Sequence, residues 1–189
     1  MVTDAPPRKK ANRKAFFASD QLHSLPLPLD SKLPALARTI ETAIKSEMTA
    51  NVRRTCDEFL KAASDSYRVP ACTVRVLAAR PLRVREYSTT ELFGDYDPDA
   101  KMIRVWMRTA VRKGVTSFGT FFSTLCHEFC HHLDFHQFGN SWHTRGFYHR
   151  VAVLYHHSKG TPVKNLVWIP IPRERWRIDW QRTKATSHN

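Results

Sequence analysis

A chain of 189 residues, 42% of them hydrophobic, has the length and apolar content of one globular domain with short tails. No apolar stretch approaches the roughly 20 residues of a membrane-crossing helix, and residues 1–14 lack the apolar run of a signal peptide. A chain with no membrane attachment and a cytoplasmic address is therefore expected, and its net charge of +13 makes nucleic acid a partner to weigh.

Residues 1–30 are basic at Arg8, Lys9, Lys10, Arg13 and Lys14, then Pro-rich at Leu25-Pro26-Leu27-Pro28, and read as a tail or strap. From Leu33 an apolar period runs through Leu36, Ile40, Ile44, Met48, Val52, Cys56, Phe59, Leu60 and Ala63. With Ser31 as cap and Pro34 in the first turn, it predicts one long helix, or two with a break near Asn51. Residues 72–78 are rich in β-formers and read as a first strand. Residues 91–96 and 102–107 flank the turn sequence Asp97-Pro98-Asp99-Ala100 and read as a hairpin, Ile103, Val105 and Met107 pointing to one face.

Residues 118–135 project as an amphipathic helix with Phe118, Phe122, Leu125, Cys126, Phe129, Cys130 and Leu133 on one stripe. Within it stands His127-Glu128-Phe129-Cys130-His131, the H-E-x-x-H pattern. Side chains four apart on a helix stack along one face, so both imidazoles can reach one metal ion. They lie nearly opposite the apolar stripe, where satisfied core histidines would not be. Glu128 sits about 100° round the axis, near enough to hold a metal-bound water without being a ligand. Cys126 and Cys130 belong to the stripe; with Cys56 and Cys72 they read as buried thiols rather than ligands or a disulfide scaffold.

A catalytic zinc takes three protein ligands and keeps one position open. After Glu128 the only acids are Asp134, Glu174 and Asp179, none in a pattern that would supply a glutamate ligand. Gly139-Asn140 should stop the helix, and a second helical run follows over 144–158, with Phe147, Tyr148, Val151, Leu154 and Tyr155 on one face. His143, just before that run, projects towards the joint of the two helices and is the favoured third ligand, His149 being its main competitor.

The string His127-Glu128-x-x-His131, then Phe138-Gly139, then His143-x-x-x-Phe147, resembles the SprT-like (Spartan-like) metallopeptidases. Gly94-Asp95-Tyr96-Asp97-Pro98 and Met102-Ile103-Arg104-Val105-Trp106 are similar to the hairpin of that family. Two positions depart: Thr144 stands where glycine follows the third histidine, and Gly146 where an acid is common. The paired-cysteine zinc ribbon of many members has no counterpart, since no cysteine follows Cys130. The resemblance implies a minimal zincin-like metallopeptidase domain holding Zn2+.

The order of elements predicts an α+β fold: a long N-terminal helix, a small mixed or mainly antiparallel sheet with a hairpin, the H-E-x-x-H helix and a following helix. The expected organisation is a basic tail over 1–30, the domain over 31–160 and a basic, Trp-containing extension over 161–189. The expected function is zinc-dependent peptide hydrolysis, with metal ligands His127, His131 and His143, and Glu128 as catalytic proton acceptor. Protein or peptide is the expected substrate, DNA-associated proteins included. Arg145, Tyr148 and His149 are candidates to stabilise the oxyanion, and strand 102–107 is a candidate edge for aligning substrate. The alternative reading is a nucleic-acid-binding protein with a structural or idle metal site. It rests on the basic ends, where Lys164, Arg173, Arg175, Arg177, Arg182 and Lys184 interleave with Trp168, Trp176 and Trp180 to contact DNA or RNA. A hydrolase of something other than peptide also fits the motif, which specifies a water activator and not a substrate.

Overall fold

The structure is a computed structural model and describes residues 1–27, 31–85 and 88–185. Pro28 of the Pro-rich run and the side chain of Lys184 lie outside the described residues. The apolar period from Leu33 forms two helices, α2 (Leu33–Lys45) and α3 (Thr49–Tyr67), after a short helix α1 (Lys10–Gln21). The N-cap position of α2 is Lys32, not the expected Ser31, although the Ser31 hydroxyl just before it accepts from the Leu33 amide at 3.2 Å. The break comes earlier than Asn51: Glu47 takes a left-handed φ of 56°, and Met48, in phase by sequence, is 58% exposed. Either side of it Ile40, Ile44, Val52, Cys56, Phe59 and Leu60 are all buried.

Next come β1 (Thr73–Ala79), a hairpin of β2 (Leu82–Arg85) and β3 (Ser88–Glu91), then β4 (Gly94–Asp97) and β5 (Met102–Arg108). Asp97 Oδ1 accepts from the amides of Asp99 and Ala100 and closes the β4–β5 turn. The main sheet is mixed, in the order β1-β5-β4, with β1 parallel and β4 antiparallel to β5. Strand 102–107 is therefore central, not the free edge expected from sequence. β1 and β4 lie on opposite sides of β5 and are the two edges of this sheet. Ile103, Val105 and Met107 meet Val74 and Val76 in the core, as their alternation required.

Across that face lies α4 (Phe118–Phe138), begun by Ser117, whose hydroxyl accepts from the Thr120 amide, and ended by Gly139 at a left-handed φ of 69°. It is buried well beyond its apolar stripe: β4 and β5 cover one flank, α1, α2 and α5 (Arg145–Lys159) the others. The four cysteines are free and buried, as expected of packing residues. Thr144 caps α5 by accepting from the Phe147 amide at 3.0 Å, which accounts for a threonine at that position.

Within 1–30, α1 docks against α5 through polar groups. Arg150, 1% exposed, donates to the carbonyls of Ser19 (3.1 Å) and Leu22 (2.6 Å), to Ser19 Oγ (3.1 Å) and to Asp134 Oδ1 (2.6 Å). Ser19 in turn donates to Asp134 Oδ2 and lies 3.0 Å from Thr144 Oγ1. Gly146 is what lets the helices meet, since a Cβ there would stand 2.0 Å from the Ser19 carbonyl oxygen. At the other end of the chain β6 (Trp168–Ile171) pairs with β7 (Arg175–Ile178), followed by α6 (Trp180–Ala185). Residues 1–4 run beside β7: Val2 bridges Arg177, the Thr3 amide donates to the Trp176 carbonyl at 2.8 Å, and the Ile178 amide to the Met1 carbonyl at 3.2 Å.

Candidate metal centre

One turn of α4 separates His127 from His131 and brings their Nε2 atoms to 3.2 Å. Beyond Gly139 the chain doubles back, and His143 puts its Nε2 3.1 Å from that of His127. The three histidines lie close enough to hold one metal ion. A tetrahedral ion with nitrogen bonds of about 2.0–2.1 Å needs ligand nitrogens about 3.3–3.4 Å apart, so the donor set fits with little adjustment. Burial first, then neighbouring imidazoles, lowers His127 to about 3 and His131 to about 2, so both rings keep the neutral, lone-pair form a metal requires.

Two further contacts aim the rings. Ser141 Oγ lies 2.7 Å from His131 Nδ1. Asp4 accepts from the His143 amide at 2.9 Å, and the same oxygen is 3.4 Å from His143 Nδ1. Burial works to raise the Asp4 carboxyl, but bonding from His143 outweighs it and holds it below its ordinary value. Beneath the cluster Phe147, fully buried, packs its ring 4.6–5.3 Å from all three imidazoles. The sequence pointed to the histidines and Phe147 but missed Asp4 and Ser141. Ser141, a hydroxyl in the short loop between ligands, carried a faint signal; Asp4, 139 residues away from its partner, carried none.

Glu128 is 6% exposed and lines the same cleft, about 390 Å³ in volume, with Gly94, Asp95, Tyr96, Phe135 and the three histidines. Burial, and then the Asp95 charge, pushes its carboxyl up to about 8. A larger groove, about 760 Å³, runs along α3, but its charges are paired on an open helix face, as in Arg54–Glu58, and nothing in it converges on a point. The groups that converge on a point are in the smaller cleft. Gly94 makes room for it: a Cβ there would stand 2.6 Å from Thr124 Cγ2 and 3.0 Å from both Cγ and Oε1 of Glu128. Gly94→Ala should therefore displace Glu128 and cost about 1–3 kcal/mol of stability while metal affinity holds. Melting curves and metal titration of the variant check both halves.

The remaining sequence candidates lie elsewhere. His149 stacks on His23 at 4.7 Å and accepts from Trp168 Nε1 at 3.2 Å, away from the cluster. None of Arg145, Tyr148 and His149, the candidates for stabilising an oxyanion, lines the cleft. Arg145 is committed to an ion pair with Asp20 and to the face of Trp176, 4.4 Å away. Tyr148 stacks on the back of His143. His132 is held between the Tyr96 hydroxyl (2.7 Å) and the Pro70 carbonyl (2.8 Å). Of the three tryptophans after residue 160, Trp168 and Trp176 are engaged by the domain and Trp180 is exposed. No helix among the described residues is long and apolar enough to cross a membrane. Comparison with family models, curated proteins and solved structures finds no significant match to this chain.

Proposed function

We propose that this chain is a zinc-dependent peptidase of SprT-like kind whose site is formed by His127, His131, His143 and Glu128. The observation that carries the reading is the convergence of three imidazole Nε2 atoms in an open cleft that also holds a buried glutamate. Zinc bound there would supply a Lewis acid to polarise the scissile carbonyl and would lower the pKa of water to about 7. Glu128 accepts the proton of the attacking water and returns it to the leaving amine. Ser141 and Asp4 hold His131 and His143 with Nε2 facing the cleft. An extended substrate would lie along the free edge of β4, whose Gly94, Asp95 and Tyr96 line the cleft, its backbone completing the ladder.

A structural zinc is usually closed by a fourth Cys or His, and among the described residues no such fourth ligand joins the cluster. That favours catalysis over an idle site. The nucleic-acid reading keeps the +13 charge as its support, but two of the tryptophans meant to stack on bases already pack against protein. DNA-associated proteins are the substrate class that charge and resemblance together suggest. Purified protein should contain about one zinc per chain and cleave an unfolded protein in a chelator-sensitive way. His143→Ala should lower zinc content well below one. Full zinc occupancy in that variant, or a metal-loaded protein inert on every unfolded and DNA-bound protein tried, would overturn the proposal.

A further inference from the structure

Nothing in the reaction explains why residues 1–4 are laid along β7 and end on a metal ligand. The arrangement is specific. Thr3, 4% exposed, ties the segment from both sides: its amide donates to the Trp176 carbonyl and its hydroxyl accepts from the Trp176 amide, each at 2.8 Å. The next residue then meets His143 three times. The Asp4 amide donates to the His143 carbonyl at 2.9 Å, the His143 amide donates to Asp4 Oδ2 at 2.9 Å, and that oxygen lies 3.4 Å from the ring Nδ1. His143 needs such support more than its fellow ligands do. His127 and His131 are set by the α4 backbone, whereas His143 precedes the Thr144 cap in a loop.

We infer that Asp4 is the positioning residue of the third metal ligand, and that the two chain ends, clamped together as N-terminal segment and β6–β7 hairpin, complete the metal centre. With Nε2 turned to the ion, Nδ1 faces the Asp4 carboxylate at 3.4 Å, and that negative charge favours the Nδ1–H tautomer and makes the ring a stronger donor. The backbone pair between the two residues holds the loop against the segment at the same point. Residues 1–4 and the β6–β7 hairpin thus act on the centre itself, although neither contributes a ligand. The inference rests on the metal-site reading above.

The experiment is a zinc-affinity measurement by chelator competition on the full chain and on Asp4→Ala, Asp4→Asn and Asp4→Glu. A wild-type protein that binds no zinc would sink the metal-site reading itself. Given a wild-type value, Asp4→Ala should weaken binding by about 10-fold or more, the usual effect of removing a partner of a ligating histidine. Asp4→Asn, nearly isosteric and able to accept the His143 amide bond, reports the carboxylate alone and should also weaken binding. Asp4→Glu should recover part of the loss. The cobalt(II) form of Asp4→Ala should show an altered visible spectrum, which a change confined to the β7 clamp would not cause. In a His143→Ala background Asp4→Ala should have no further effect on affinity. Unchanged affinity in Asp4→Asn and Asp4→Ala, or an equal loss with and without His143, would overturn the inference.

Discussion

Glu128→Gln is expected to lower peptide hydrolysis at least about 100-fold while the protein keeps its zinc. The amide matches the carboxylate in shape, so ligands and fold are undisturbed, but it accepts no proton from water. The same substitution should also stabilise the metal-free protein. Burial and the Asp95 charge raise the Glu128 carboxyl from 4.5 to about 8. Ionising a group whose folded value is raised costs stability, and that cost grows from about pH 4.5 until the pH passes about 8. At pH 7 it is on the order of 3 kcal/mol, a cost glutamine does not bear. Melting curves of chelated wild type and variant at pH 5, 7 and 8.5 should show the advantage of the variant widening with pH. Bound zinc should narrow it, because the cation favours the ionised carboxylate. A variant that turns over substrate at the wild-type rate would remove Glu128 from the mechanism.

Arg150→Ala is the second large effect, and it acts on the fold. Its guanidinium is the partner of Asp134, which is fully buried, and the cap of the last carbonyls of α1. Removing one member of a buried pair leaves the other charge unpaired, a loss of about 3–5 kcal/mol. For a chain of this length that lowers the melting temperature by roughly 10 °C. α1 should loosen with it, although the Arg145–Asp20 ion pair still ties the end of that helix to α5. Replacing both members, Asp134→Leu with Arg150→Met, should restore much of the stability, because neither charge then needs a partner. A single variant that melts with the wild type would show that α1 is held by something else.

The local pattern of this sequence was enough for most of its elements. The periods over 33–63 and 118–135, the alternation at Ile103, Val105 and Met107, and the stops at Gly139 and in the turn after Asp97 all depend on neighbours within a few residues. His127, Glu128 and His131 share that legibility because one helical turn relates them. His143 was within reach because a single short loop joins its helix to theirs. What the tertiary structure alone decided depends on pairings distant in sequence. That β5 is central and β4 an edge follows from the pairing of β5 with the distant β1, which no period encodes. Asp134 and Arg150, polar by sequence, are buried because α1 closes over them, and Asp4 reaches His143 only because β7 holds the N-terminal segment there. An isolated Asp near the start of a basic segment looks like a solvated charge. It reaches the histidine cluster through hydrogen bonds whose partners lie more than a hundred residues on.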